Sequence, residues 1–468
     1  MKTRFAALLL AVLLLCAGCV RTEAPVPQKT PASVPETAAA PARGDYIPAT
    51  DAYTGMNDPD FWAALCAAPD ETRMTAAEIA AFNAAVLADP EALCADLRAY
   101  PQTLSRAALE QIALTYGKWP DSGRYTGSAL ITQEQQRAIY QNINLGAAAD
   151  SNPVRCAFAV RNAALRSWPS DLPVYESADD VEYDLAREST LRLWEPVLVL
   201  HASADGAWLL VQAYNYTGWV AADDLALTDR TQWEALQDRA FLVVRAARLA
   251  LGDSVYTPAL DGTVLTMGTR LPRADATAAD NAGTANAWAV LLPLRAEDGT
   301  LTTAEARIPF GDDVSEGFPA LTDRALLRQV FRLLGQRYGW GGMFGGWDCS
   351  SLCADAYAVF GIMLPRNSSR QVRTGVSTDL SAYSDADKLA FLGALRPGAL
   401  LEIKGHMMFW LGVSDGRGYV IHSTHGFQPQ GQPFTVANSV VVSSVDALRS
   451  NGKSILTNIR AAADVKNP

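Results

Sequence analysis

The run GGMFGGWDCSSLCADAYAVFGIML, residues 341–364, constrains the fold more than any other stretch. A glycine-rich segment ends in Asp348-Cys349-Ser350, and an apolar helical pattern follows at once. The spacing predicts a helix that opens at Cys349. Backbone N–H groups are unpaired at a helix start and the dipole there is positive, so a thiolate is favoured and a lowered thiol pKa is expected. A thiolate needs an imidazole partner to work as a nucleophile. Two histidines follow in strand-like runs, His406 in KGHMMFWLGV and His422 in GYVIHSTHG.

These residues belong to an expected α+β domain over 321–468. Thr322 or Asp323 caps a helix with Leu326, Leu327, Val330, Phe331 and Leu334 on one face. After the cysteine helix come strand-like runs at 400–403, 406–413, 419–423, 439–443 and 454–459. Asp415-Gly416 reads as the hairpin turn between two of them. A helical hairpin followed by an antiparallel sheet frames a papain-like site. On a strand starting at His406, residues 406, 408 and 410 share a face. His406 can then face the cysteine helix while Met407 and Phe409 fill the other side. In that arrangement Cys349 is the nucleophile, His406 the general base and His422 the group that orients it. Backbone N–H groups at the helix start, that of Cys349 included, would hold the oxyanion.

Upstream, residues 60–150 read as a helical N-terminal region. Thr75-x-x-Glu78 and Thr132-x-x-Gln135 are capping boxes, and Asp89-Pro90 has the pattern of a helix start before Leu93 and Leu97. Residues 151–230 change texture to short apolar runs parted by turn signals, which suggests a small barrel. This run resembles the bacterial SH3 domains of cell-wall enzymes, most specifically at Gly218-Trp219-Val220. Residues 231–320 keep the strand-rich texture, and a second SH3-like barrel is expected, with 274–287 as a loop.

The chain opens on Lys2, Arg4 and the apolar run 5–15, followed by Cys16-Ala-Gly-Cys19. The apolar run is too short to span a bilayer and reads as a secretory signal over 1–19. It resembles a bacterial lipoprotein signal, with Cys19 as the lipidated residue. Val20 after it favours the outer membrane. Residues 20–59, rich in Pro, Ala and Thr, read as a tether. The expected address is periplasm-facing, on a lipid anchor. Net charge is −11 and falls to −13 without Lys2 and Arg4, which argues against nucleic acid as a partner. Of the seven cysteines, Cys66, Cys94 and Cys156 could supply one disulfide in an oxidising compartment, with Cys66–Cys94 preferred. Outside the signal no C-x-x-C pair suggests a zinc site, and no cofactor is expected. A monomer is expected.

Together, YGWGGMFGGWDCSSL, LPRNSSRQ, PGALLEIKGHMMFWLG and VIHSTHG resemble the successive signatures of the NlpC-type cell-wall cysteine peptidases, in the subgroup with an N-terminal helical clip and two SH3-like barrels. The resemblance implies a gamma-D-glutamyl-L-diamino acid endopeptidase acting on peptidoglycan stem peptides with a free N-terminal L-Ala. It implies that Asp348 and Ser350 hold that N-terminus, with Ser368 and Arg366 contributing. Asn367 stands where the family has Asp, which removes a charge. Tyr216 of the first barrel would close the pocket.

Plainer roles are expected for the other candidates. Cys353, one turn on, reads as core. His201 reads as a barrel residue, His425 as a loop histidine and Trp219 as barrel core. The rival reading of the whole chain is a non-catalytic wall-binding lipoprotein that acts through its SH3-like domains.

Overall fold

The structure, a computed structural model, describes residues 41–115, 119, 123–253, 257–274 and 286–466. The expected signal, Cys19 and the first half of the tether lie outside the described residues, as does most of the expected 274–287 loop. No helix among the described residues is long and apolar enough to cross a membrane.

The C-terminal domain is built on an antiparallel six-stranded sheet. Its order is Val376–Asp379, Ala461–Asp464, Leu400–Ile403, His406–Ser414, Arg417–Phe427 and Thr435–Ser444. The Asp415-Gly416 turn has φ of 46° and 71°, which fits the twist of the flanking strands. Residues 454–459 are not a strand. Ser454 accepts the Thr457 N–H and caps the short helix Ile455–Asn458, and the strand begins after it, at Ala461.

Thr322 caps helix Asp323–Phe331 by accepting the Ala325 N–H at 3.1 Å. This helix and the cysteine helix, Cys349–Ala358, share a core with Met407, Phe409, Leu411, Ile421 and Val442. Met408, Trp410 and Val420 pack on the other face with Leu392 and Ile455. The expected assignment of faces is therefore reversed, because Met407 and Phe409 are the residues that meet the cysteine helix. His406 opens the strand and packs in neither cluster; its ring reaches sideways to the next strand.

The first barrel is a seven-stranded sheet. It runs Leu225–Thr228, Arg155–Ala159, Pro196–Ala202, Trp208–Gln212, Thr217–Ala221, Ala163–Arg166 and Arg187–Leu191. Trp219 is buried in its core with Phe158 and Leu210. The next stretch forms a three-stranded sheet of Arg270–Pro272, Phe241–Val244 and Val314–Glu316. Two strand pairs accompany it, Arg248–Ala250 with Val264–Thr266 and Ala287–Arg295 with Leu301–Pro309.

The N-terminal region is mixed rather than purely helical. Both capping boxes form, before helices Ala76–Ala88 and Gln133–Asn142. Short strand pairs lie between and after them, Tyr125–Thr126 with Ala129–Leu130 and Thr103–Ser105 with Ser151–Pro153. Asp89-Pro90 starts no helix. Asp89 caps the end of the preceding one, and the chain turns with Leu93 at a φ of 55°.

Residues 41–63, expected partly as tether, fold onto the C-terminal domain. Tyr46–Ile47 pairs with Ala52–Tyr53. Trp62 is fully buried 5.5 Å from the Tyr419 ring, and its indole N–H is satisfied by Met56 O at 2.9 Å. Loss of a buried indole of this kind costs about 3–5 kcal/mol. The expected Cys66–Cys94 disulfide is absent. All five described cysteines are free, and the two thiols bond separate carbonyls, of Trp62 and Ala92.

Candidate active site

The glycine loop exists because a barrel strand presses against it. Residues 341 and 342 have φ of 55° and 80°. A Cβ at Gly341 would lie 2.5 Å from Arg187 O, and one at Gly342 would lie 2.1 Å from Thr190 Oγ1. Arg187 and Thr190 use that closeness. The Arg187 guanidinium donates to Gly341 O at 3.0 Å and Gly342 O at 3.2 Å, and the Thr190 hydroxyl donates to Gly341 O at 2.9 Å. The Gly341 N–H in turn donates to Asp348 at 3.1 Å.

Asp348 caps the cysteine helix, accepting the Ser351 N–H at 2.9 Å. Its carboxylate also meets both terminal nitrogens of Arg366. Arg366 donates further to Ser350 Oγ and Ser189 Oγ, each at 2.8 Å. Burial pushes the Asp348 carboxyl up, but the Arg366 guanidinium and the Ser351 N–H outweigh it and leave the pKa below its ordinary value. Asp348, Ser350 and Arg366 thus form one internally satisfied knot at the helix start.

Cys349 is the first residue of its helix, as the sequence predicts, but its thiol is not acidic. Burial pushes the pKa up to about 11, and the Asp348 carboxylate adds to the rise. The N–H groups of Met407 and Ser350 and the charge of Arg366 pull the other way without winning. Desolvation of the sulfur here exceeds the helix-end effect. The Met407 N–H at the sulfur also fixes its place, beside the start of the strand that His406 opens.

The histidines meet one another. His406 Nε2 lies 2.8 Å from His422 Nδ1, and His422 Nε2 lies 3.0 Å from Ser443 Oγ. The Ser423 hydroxyl donates to Trp347 O at 2.5 Å and ties this strand to the loop before Cys349. Burial, then His422 and Arg449, hold His406 well below its usual pKa. Burial and Arg449 bring His422 down to about 3. Both rings are therefore neutral at pH 7. With Nε2 engaged by His422, Nδ1 of His406 is the ring atom left to take a proton from a nucleophile.

Tyr216 lines a cavity of about 240 Å³ between the first barrel and this domain, with Ser189, Ser351 and Arg366. Its hydroxyl donates to Glu188 at 2.7 Å, and Ser167 donates to the other oxygen of that carboxylate. Ser368 opens the short helix Ser368–Gln371, beside the exposed Asn367. His425 bonds Asn438 at 2.8 Å and takes no part in the histidine chain. His201, on a barrel strand, bonds Asn144 O of the N-terminal region, and Cys353 is fully buried. Sequence reasoning missed Ser443, Glu188, Arg187 and Tyr338. Tyr338 is buried close enough to Cys349 and Asp348 for their charges to raise its pKa further.

Comparison with known proteins gives this geometry a family. Residues 335–436 match the NlpC/P60 family, and residues 173–221 match the SH3 domain of the SH3b1 type. A Bacillus cereus (strain ATCC 10987 / NRS 248) protein named gamma-D-glutamyl-L-lysine dipeptidyl-peptidase is 31% identical over 143 residues, which are 29% of this chain. The match spans 38% of that relative's length. A solved NlpC/P60 endopeptidase from Photobacterium damselae subsp. piscicida superposes with a TM-score of 0.69 at 17% identity. That superposition covers 85% of this chain and 95% of that one, and it shows a shared fold. Residues 335–436 thus form an NlpC/P60-family domain that follows an SH3b domain at 173–221.

Proposed function

We propose that this NlpC/P60 chain is an exported, lipid-anchored cysteine endopeptidase that hydrolyses the gamma-D-glutamyl-diamino acid bond of peptidoglycan stem peptides. The observation that carries the reading is the contact of His406 Nε2 with His422 Nδ1 at 2.8 Å, on the strand whose second residue, Met407, turns its N–H to the Cys349 sulfur. In the reaction, the sulfur forms a bond to the gamma-carbonyl of D-Glu as its proton passes to His406 Nδ1. The Cys349 N–H, unpaired in the first helical turn, faces the developing oxyanion. His406 then hands the proton to the amine of the diamino acid as the C–N bond breaks. Water, deprotonated by the same ring, releases the acyl group and restores the thiol. A neutral thiol beside a neutral imidazole makes transfer part of the attack rather than a step before it.

The free N-terminus of L-Ala needs an anionic partner. Asp348 is already neutralised by Arg366, so that role falls to Glu188. Its carboxylate accepts from the hydroxyls of Tyr216 and Ser167. Arg366 and Ser350 then present the Asp348 knot as a rigid floor. A diamino acid as the leaving residue agrees with the B. cereus relative, which is named for L-lysine at that position.

The test is a panel of L-Ala-gamma-D-Glu-diaminopimelate, its N-acetylated form, an unrelated amide and a lipid ester. Release of free diaminopimelate from the first alone is the expected outcome. Turnover of the amide or the ester in its place would move the chain to a different acyl substrate.

A further inference from the structure

The histidine chain ends on a residue that nothing above uses. Ser443 lies on the neighbouring strand, opposite Val420, and is fully buried. Its hydroxyl is 3.0 Å from His422 Nε2, and that ring is fully buried too. The next residue is occupied elsewhere. Asp51, from the 41–63 segment, accepts both the Ser444 N–H at 2.8 Å and the Ser444 hydroxyl at 2.9 Å. Of two adjacent buried serines, one is thus held from outside the domain and the other faces the imidazole.

Two neutral wirings fit these contacts. In the first, His406 carries its proton on Nε2 and donates to His422 Nδ1, while His422 carries its own on Nε2 and donates to Ser443 Oγ. In the second, Ser443 donates to His422 Nε2, His422 donates from Nδ1 to His406 Nε2, and the His406 proton sits on Nδ1. Only the first leaves Nδ1 of His406 with a lone pair to receive the thiol proton. We infer that Ser443 is a positioning residue that accepts the Nε2 proton of His422 and so keeps His406 in the tautomer that can act as a base.

Without the hydroxyl the first wiring strands a buried N–H, whereas the second strands only a lone pair. A buried N–H with no acceptor is the rarer and costlier defect. Removing the hydroxyl therefore drives the chain toward the second, inactive wiring. The rate consequence rests on the peptidase reading; the tautomers do not, because they are read without substrate.

The experiment uses the full chain labelled with 15N-histidine at pH 7, where burial keeps both rings neutral. His201→Gln and His425→Gln variants assign the signals. The wild type is expected to show His406 and His422 both protonated at Nε2. Ser443→Ala is expected to move both toward Nδ1–H and to lower kcat about tenfold or more at unchanged KM. Ser443→Thr, which keeps the hydroxyl, is expected to restore tautomers and kcat together. A wild-type His406 protonated at Nδ1, or a Ser443→Ala spectrum identical to wild type, would overturn the inference. If Ser443→Ala does not fold, the wild-type and Thr spectra still decide it. Wild-type tautomers as expected with no peptide cleaved would count against the peptidase reading alone.

Discussion

Arg366 closes on Asp348 with both terminal nitrogens at the cap of the cysteine helix, and both side chains are buried. The pair gives the carboxylate expected to bind a substrate ammonium a cationic partner within the protein. It also sets the charge felt by the thiol, since Asp348 raises the Cys349 pKa and Arg366 lowers it.

Breaking that pair from one side should be costly. Arg366→Met leaves a buried carboxylate without its partner and is expected to destabilise the domain by about 3–5 kcal/mol. Asp348→Asn combined with Arg366→Met should cost clearly less than the two single changes added together. Urea denaturation followed by tryptophan fluorescence measures both. A single Arg366→Met change within about 1 kcal/mol of wild type would refute the knot.

The thiol should titrate high. With the Cys349 pKa pushed up to about 11, its alkylation by iodoacetamide is expected to rise steadily from pH 7 to beyond pH 10. Cys349→Ala supplies the background from the other cysteines. A rate that levels off below pH 8 would mean a preformed thiolate–imidazolium pair.

Acid should weaken the fold through His422. The unfolded ring protonates below about 6.5, whereas the folded ring stays neutral down to about 3. Between those values the unfolded chain binds more protons, so stability falls as pH is lowered, by about 1.4 kcal/mol per unit from this ring. Urea midpoints at pH 7.5 and 5 should therefore differ more in wild type than in His422→Gln. Equal differences would place the pH dependence elsewhere.

Glu188 should govern recognition of the peptide N-terminus. Glu188→Gln keeps the shape of the side chain and its place beside Tyr216 but removes the charge. KM for L-Ala-gamma-D-Glu-diaminopimelate is expected to rise at least about tenfold with kcat little changed. Steady-state kinetics on that peptide check it, and an unaltered KM would return the ammonium to another acceptor.

Much of the site was legible because its residues carry local signals. The glycine run, Asp348 as helix cap, Cys349 at the helix start and two histidines in successive strands can each be read within a few residues. Ser443, Glu188 and Asp51 could not. They are ordinary polar residues whose partners lie 21, 28 and 393 positions away, so only register and domain packing give them a role. The thiol pKa was misjudged for a related reason. A helix start is visible in sequence, but the packing of the half-buried Cys349 against the domain core, with the Met407 N–H at its sulfur, is not. Residues 41–59 read as tether because they continue the run that carries Pro25, Pro27, Pro31, Pro35, Pro41 and Pro48, while Asp51 and Met56 act through contacts with residues far along the chain.

The account stands most directly on whether Cys349 is the nucleophile for a gamma-D-glutamyl bond. Wild-type protein and Cys349→Ala, both folded by circular dichroism, are incubated with L-Ala-gamma-D-Glu-diaminopimelate, and free diaminopimelate is followed by mass spectrometry. Steady release by wild type with none above background for Cys349→Ala is the predicted result. Equal release by both proteins, or none by either, would contradict it.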